Sequence, residues 1–221
     1  MDWQALTLSL ELAAVTLLVL LPLGLWMGRW LARTSFAGKA LVEAAVVLPL
    51  VLPPTVLGYY LLVTLGGASP LGHWMQETFD IRLTFNFAGL LIASVIFNIP
   101  FMVQPIQRAF EAVPENLCEA AAVSGLGPWQ TFLRVELPLA WPGVLSAAVL
   151  TFVHTLGEFG VVLMMGGSIP GETKTIAISI YDRVQAFDLQ GADQMALLLL
   201  IFSLAAVAAS FFATSRMMRK R

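Results

Sequence analysis

The sequence predicts an all-α integral membrane protein of five spans, and three observations carry that reading. Of its 221 residues, 58% are hydrophobic and only 12% charged, with a mean hydropathy of +0.83. A soluble domain carries about a quarter of its residues as charges. Apolar runs recur at lengths that cross ~30 Å of hydrocarbon. The basic residues are also sorted: Arg29, Arg33, Lys39, Arg108, Arg134, Arg216, Arg219, Lys220 and Arg221 fall on one side of those runs, and Arg82, Lys174 and Arg183 on the other. Cations collect on the cytosolic side of a membrane, so the N-terminus is expected outside and the C-terminus in the cytosol.

The first span covers about 5–27 and holds Glu11 toward its outer end. Gly24 and Gly28 near its inner end are a small-xxx-small pair, a weak helix-packing signal. Met1-Asp2-Trp3-Gln4 lacks a basic leader, so this run is expected to be a retained span. The second covers about 40–65 and contains Pro49, Pro53 and Pro54. Proline removes a backbone donor and clashes with the preceding turn, so this helix is expected to bend, either to line a pathway or only to pack. Residues 66–85 read as a polar loop with Trp74 in an interfacial belt, and the lone His73 there suggests neither metal nor catalytic chemistry.

The third span covers about 86–107, with Asn98, Pro100, Gln104 and Pro105 within it. Polar side chains at this depth face the bundle interior, which makes this helix a candidate pathway wall. The fourth covers about 139–165 and carries Pro142, His154, Gly157, Glu158 and Gly160. Residues 166–191 are too polar to cross, with 176–181 as an interfacial or re-entrant piece, and the fifth span covers about 192–214. The whole of 1–221 reads as one transmembrane domain.

The longest stretch that cannot lie in lipid is 111–138, EAVPENLCEAAAVSGLGPWQTFLRVELP. Pro114 serves as a first-turn residue, Glu115 puts negative charge at a helix N-terminus, and Gly125-Leu126-Gly127-Pro128 ends that helix. A second short helix is expected over 129–135, with Trp129, Phe132 and Leu133 on one face and Pro138 as its stop.

This segment resembles the cytoplasmic loop of ABC importer permeases. That loop reads EAA, three residues, Gly, nine residues, an aliphatic residue, one residue, then Leu-Pro. Here Glu119-Ala120-Ala121, Gly125, Val135 and Leu137-Pro138 keep every spacing. The resemblance implies that the first helix is a coupling helix that docks into a cytosolic ATPase. The residue types suit that role: small alanines permit close approach, Glu119 offers a charge at the rim, and Gly125 permits a sharp turn. Outside the loop, FAGKALVEAAVVLPLVLPPTVLGYYLL, LGEFG and GGSIPGETKTIAISIY are similar to the molybdate branch of that family.

The resemblance therefore implies a permease core for molybdate import by alternating access in the bacterial inner membrane. It implies a second copy of the chain, two ATPase subunits that hold ATP and Mg, and a periplasmic or lipid-anchored oxyanion-binding protein, with no nucleic acid. A sulfate or tungstate permease and an ion-coupled secondary transporter are the competing readings.

The residues exclude most other chemistry. There is one cysteine, Cys118, two histidines, no HExxH zinc motif and no GxxxxGK loop, so no cofactor is expected on this chain. Glu158 is the costliest residue to place, because a carboxylate in a bilayer must be paired, solvated or neutralised. It is expected at a gate or at the contact between two copies, paired with His154 one turn earlier. Gly157, Asn98, Pro53 and Pro54 are grouped with it as candidate pathway, gate or dimer residues.

Overall fold

The computed structural model describes residues 1–218, and every regular element among them is helical. In chain order these are α1 (Trp3–Arg33), α2 (Lys39–Val51), α3 (Pro54–Leu65), α4 (Pro70–Phe79), α5 (Phe87–Glu111), α6 (Glu115–Val123) and α7 (Pro128–Thr131). A π-helical turn (Phe132–Glu136) follows, then α8 (Leu137–Leu156), α9 (Gly160–Gly166), α10 (Ile176–Gln185) and α11 (Leu189–Met218). Among the described residues, four stretches are long and apolar enough to cross a membrane: Trp3–Arg33, Phe87–Glu111, Pro128–Leu156 and Leu189–Arg216. The pair α2 and α3 makes a fifth if counted as one span, bent by 106°. Pro53 and Pro54 explain that bend, since neither can donate the backbone bond that would carry α2 onward.

The core is a three-helix packing of α1, α5 and α8. Leu20, Met102, Ile106, Phe110, Ala140, Val144 and Ala147 form its largest buried cluster. Gly24 and Gly28 let α1 lie close on α5; a Cβ on Gly28 would stand 2.7 Å from Ile106 Cγ2. In lipid, where apolar surface is not driven together by water, such close backbone approach is what holds helices in contact. Around this core, α3 packs on α9, α2 on α5, and α11 on α8 and α10.

Two expectations need correcting. The fourth span is not one helix over 139–165: it starts upstream, ends at Leu156 and is broken before α9 begins at Gly160. Two glycines within four residues disfavour helix, and Glu158 between them is drawn to donors on α5. Pro138 does not stop the preceding helix either. The π turn widens the backbone there, with Leu137 N–H donating to Phe132 O, and relieves the clash a proline ring makes inside an α-helix.

Smaller differences follow local chemistry. Pro114 is the N-cap of α6 rather than its first residue. The expected loop at 66–85 contains α4, started by Ser69, whose hydroxyl accepts from Gly72 N–H, and by Pro70. α10 is a full helix fastened to the N-terminal end of α1: Ile176 N–H donates to Ser9 Oγ at 2.8 Å, and Ser179 Oγ to Asp2 Oδ2 at 2.9 Å. Arg219, Lys220 and Arg221, counted in the charge pattern, lie outside the described residues.

Candidate coupling face and buried polar cluster

α6 ends in a Schellman cap. Gly125 has φ +81°, its N–H donates to Ala122 O, and Leu126 N–H donates to Ala121 O, both at 3.0 Å. That conformation is cheap for glycine and strained for other residues, so Gly125 sets where the helix stops and the chain returns. Val123, Glu119, Ala120 and Asn116 share the exposed side of α6, at i, i−4, i−3 and i−7 from Val123. Val123 is 90% exposed, an unusual position for a large aliphatic side chain. Ala121 does not belong to that face: it is buried against the chain's own core. Only Ala120 of the alanine pair can meet another surface, and Val123 is the outward residue that motif matching missed. Its i+3 and i+4 spacing from Ala120 and Glu119 was the available signal.

Beneath α6 lies a charged cluster. Arg29 Nε stands 2.5 Å from Glu136 Oε2 and Arg33 Nε 3.8 Å from Glu136 Oε1. Glu136, in the π turn, is 4% exposed. Arg33 Nη2 also donates to Val113 O at 3.4 Å and reaches Cys118 Sγ at 3.7 Å. The end of α1, the start of the long fourth helix and α6 are thus joined at one point. Val135 and Leu137 are half-buried on either side of Glu136, while Pro138 lies on the exposed side. Burial pushes the Cys118 thiol above its ordinary value, with Glu136 adding to the shift.

A second cluster lies deep in the bundle at the break after α8. Glu158 accepts from Ser94 Oγ at one carboxyl oxygen and from Asn98 Nδ2 at the other. His154 Nδ1 stands 3.0 Å from Asn98 Oδ1 and 3.8 Å from Glu158 Oε1. His154 and Glu158 thus stand side by side one turn apart, and Asn98 hydrogen-bonds to both. The side chain of Glu158 is 1% exposed, and both of its carboxyl oxygens are engaged by donors within the protomer. Phe101 stacks on the His154 ring with centroids 3.9 Å apart.

Pro53 and Pro54, at the bend between α2 and α3, and Gly157, at the end of α8, are exposed. The start of α3 meets the start of α9, where a Cβ on Gly160 would be 3.0 Å from Pro54 Cβ. Two helix breaks therefore lie side by side, and Asn98 and Glu158 brace one of them from within. Among the described residues no group of three or more metal-ligating side chains occurs.

The chain matches the family described as binding-protein-dependent transport system inner membrane component over residues 21–221. It is 50% identical over 202 residues to the molybdenum transport system permease protein ModB of Azotobacter vinelandii, covering 91% of this chain and 89% of that protein. Against the protein of the same name from Escherichia coli K12 it is 39% identical over 204 residues, covering 92% and 88%. The sulfate transport system permease protein CysT of Escherichia coli K12 is 34% identical over 181 residues, covering 82% of this chain and 65% of the longer relative. Among solved structures, a bacterial alginate ABC transporter in complex with an alginate pentasaccharide-bound periplasmic protein superposes with a TM-score of 0.79 at 17% identity, covering 97% of this chain and 78% of that one. The fold, the family match and the identity to its permeases agree: the chain belongs to the inner membrane components of binding-protein-dependent transport systems.

Proposed function

We propose that this chain is the pore-forming permease subunit of an ATP-driven importer that moves molybdate from periplasm to cytoplasm. The observation that carries the cargo is the 50% identity to a molybdenum permease along nine-tenths of the chain. The permease is not itself an enzyme. ATP and Mg act at two separate ATPase subunits, a second copy of the chain completes the pore, and a periplasmic or lipid-anchored protein delivers the oxyanion. The N-terminus lies outside; α6 and the C-terminus lie in the cytosol.

The geometry supports a coupling role for α6. Its outward residues Glu119, Ala120 and Val123 give a small, mostly apolar contact with one charge at the rim, which suits a cleft in a partner. Gly125 holds the turn, and Val135, Leu137 and Pro138 carry the chain into the long helix. Because α6 is joined to α1 and the π turn through Arg33 and Glu136, a displacement of α6 is delivered to the core helices. Closing of the ATPases on ATP draws the two coupling helices together and opens the pathway outward; hydrolysis resets it. Pro53, Pro54 and Gly157, at the adjoining helix breaks, line the moving part of the pathway, with Asn98 and Glu158 bracing it.

The test is labelled molybdate uptake into proteoliposomes that hold the permease, its ATPase and its binding protein, with sulfate and tungstate as competitors. Val123→Asp and Glu119→Lys, both at exposed positions, are expected to leave the permease folded while uptake falls at least about tenfold. Normal uptake by both would reduce α6 to a surface helix. Uptake that persists without the ATPase and collapses with the proton gradient would establish the ion-coupled reading. Stronger competition by sulfate than by unlabelled molybdate would reassign the cargo to the sulfate branch.

A further inference from the structure

Along the last turns of α1, Trp26 and Trp30 stack with ring centroids 6.2 Å apart and planes within 7°. Trp129 leans on Phe132, centroids 5.2 Å apart, at the start of the neighbouring spanning helix. These four rings, with Pro22 and Leu25, wall a groove of about 640 Å³ that also takes in Arg29 and Arg33. It is apolar along α1 and cationic toward the helix end. Trp26 and Trp129 are 66% and 69% exposed. The groove lies where two membrane-spanning helices reach the same membrane boundary, on the α6 side. Indole rings favour that depth, where one edge is apolar and the other wet.

Charge in the groove does not balance. Among the described residues, Glu136 is the only carboxylate paired with either guanidinium, so two positive charges meet one negative. The Nε of Arg33 is buried without a hydrogen-bond partner. Its Nη2 has only a 3.4 Å bond to Val113 O and a 3.7 Å contact with Cys118 Sγ. A site at a membrane boundary with an apolar wall and one uncompensated positive charge matches one kind of occupant in its surroundings.

We infer that this groove binds an anionic phospholipid of the leaflet on the α6 side, its phosphate at Arg33 and Arg29 and an acyl chain along Trp26, Pro22 and Leu25. A zwitterionic lipid would satisfy the apolar wall and leave the charge unmet. Basic pockets between spanning helices on the cytosolic side hold anionic headgroups for the same reason. The site does not depend on which anion the permease carries.

Native mass spectrometry of the detergent-solubilised permease–ATPase complex, titrated with phosphatidylglycerol, phosphatidylcholine and inorganic phosphate, tests this. Phosphatidylglycerol should be retained about fivefold or more above phosphatidylcholine, the size of one cationic side chain's attraction at a membrane surface. Inorganic phosphate alone should not be retained. Arg33→Gln should abolish the preference between the two lipids, and Trp26→Ala should weaken both alike. Equal retention by the wild type, a preference that survives Arg33→Gln, or capture of phosphate alone would overturn the assignment. So would lipid bound by the isolated permease but excluded from the complex, since a protein would then cover the groove. Should Arg33→Gln fail to assemble, Trp26→Ala decides, because unchanged lipid retention there is equally fatal.

Discussion

Arg29 holds Glu136 side-on, with Nε 2.5 Å from Oε2 and Nη2 3.3 Å from Oε1, across 107 residues of chain. The guanidinium also lies over the Phe132 ring, 5.2 Å from its centroid. Planar forks and carboxylates match in this geometry, so the pair fixes direction as well as distance. It ties the end of α1 to the π turn that leads into α8.

Replacing Glu136 with Gln leaves two guanidinium groups facing each other without their counter-charge. The expected loss of stability is about 1–3 kcal/mol, below the range for a fully buried pair because Arg29 remains about one-third exposed to solvent. Arg29→Lys, which keeps the charge and loses the fork, should lose less. Thermal unfolding in detergent gives the first number, and molybdate transported per ATP hydrolysed gives the functional one. A Glu136→Gln variant as stable and as well coupled as the wild type would show that the link transmits nothing.

Gly125 gives a cleaner backbone test. A Cβ there would meet nothing within 4 Å, so Gly125→Ala changes only the cost of φ +81°. That cost is about 1–2 kcal/mol, confined to the end of α6. Gly125→Asn, which tolerates the left-handed region better, should keep more uptake than Gly125→Ala. Equal uptake by the two variants would mean that the cap does not position the exposed face of α6 for the proposed coupling.

Glu158 braces the break after α8 by accepting from two buried donors. Glu158→Ala strands Ser94 Oγ and leaves Asn98 Nδ2 with only its 2.9 Å bond to Ser94 O, where water is scarce, at about 1–3 kcal/mol. Glu158→Gln keeps one acceptor and should cost roughly half as much. Unfolding midpoints of the two variants in the same detergent test the order. Reversal, with Ala the more stable, would mean that the carboxyl is tolerated rather than used.

Cys118 reports on the cluster beneath α6. Burial favours the neutral thiol, and the raised pKa leaves less thiolate at any given pH. As the chain's only cysteine it can be followed alone. Its alkylation by N-ethylmaleimide should be slower than that of free cysteine at pH 8. It should also keep rising with pH after the free thiol has levelled off. A rate at or above that of free cysteine would mean that α6 lifts away from Arg33 and Glu136 in solution.

Fold class was legible because composition and run length answer to the solvent: a chain this apolar must place its helices in lipid. The bend between α2 and α3 follows from Pro53 and Pro54, and the turn after α6 from Gly125, because both express one residue's own backbone limits. Pro138 shows where that logic stops. A proline ends a helix only if the backbone cannot widen around it, and here a π turn supplies the room. Val123 was passed over for a related reason: the motif names residues, while exposure depends on which side of α6 the core takes. Ala121, two residues before it, is turned inward by the same rotation.

Sequence alone thus determined the class of the protein and its family, both of which are written in local composition and spacing. Tertiary structure decided where the isolated charges end up. The partners of Glu136 and Glu158 lie on helices far away in the chain: Arg29 is 107 residues from the first, and Ser94 and Asn98 are 64 and 60 from the second. No periodicity within one helix encodes such pairings. They depend on how α1, α5 and α8 rotate and approach once their small residues are in contact, and only the packed bundle sets those rotations.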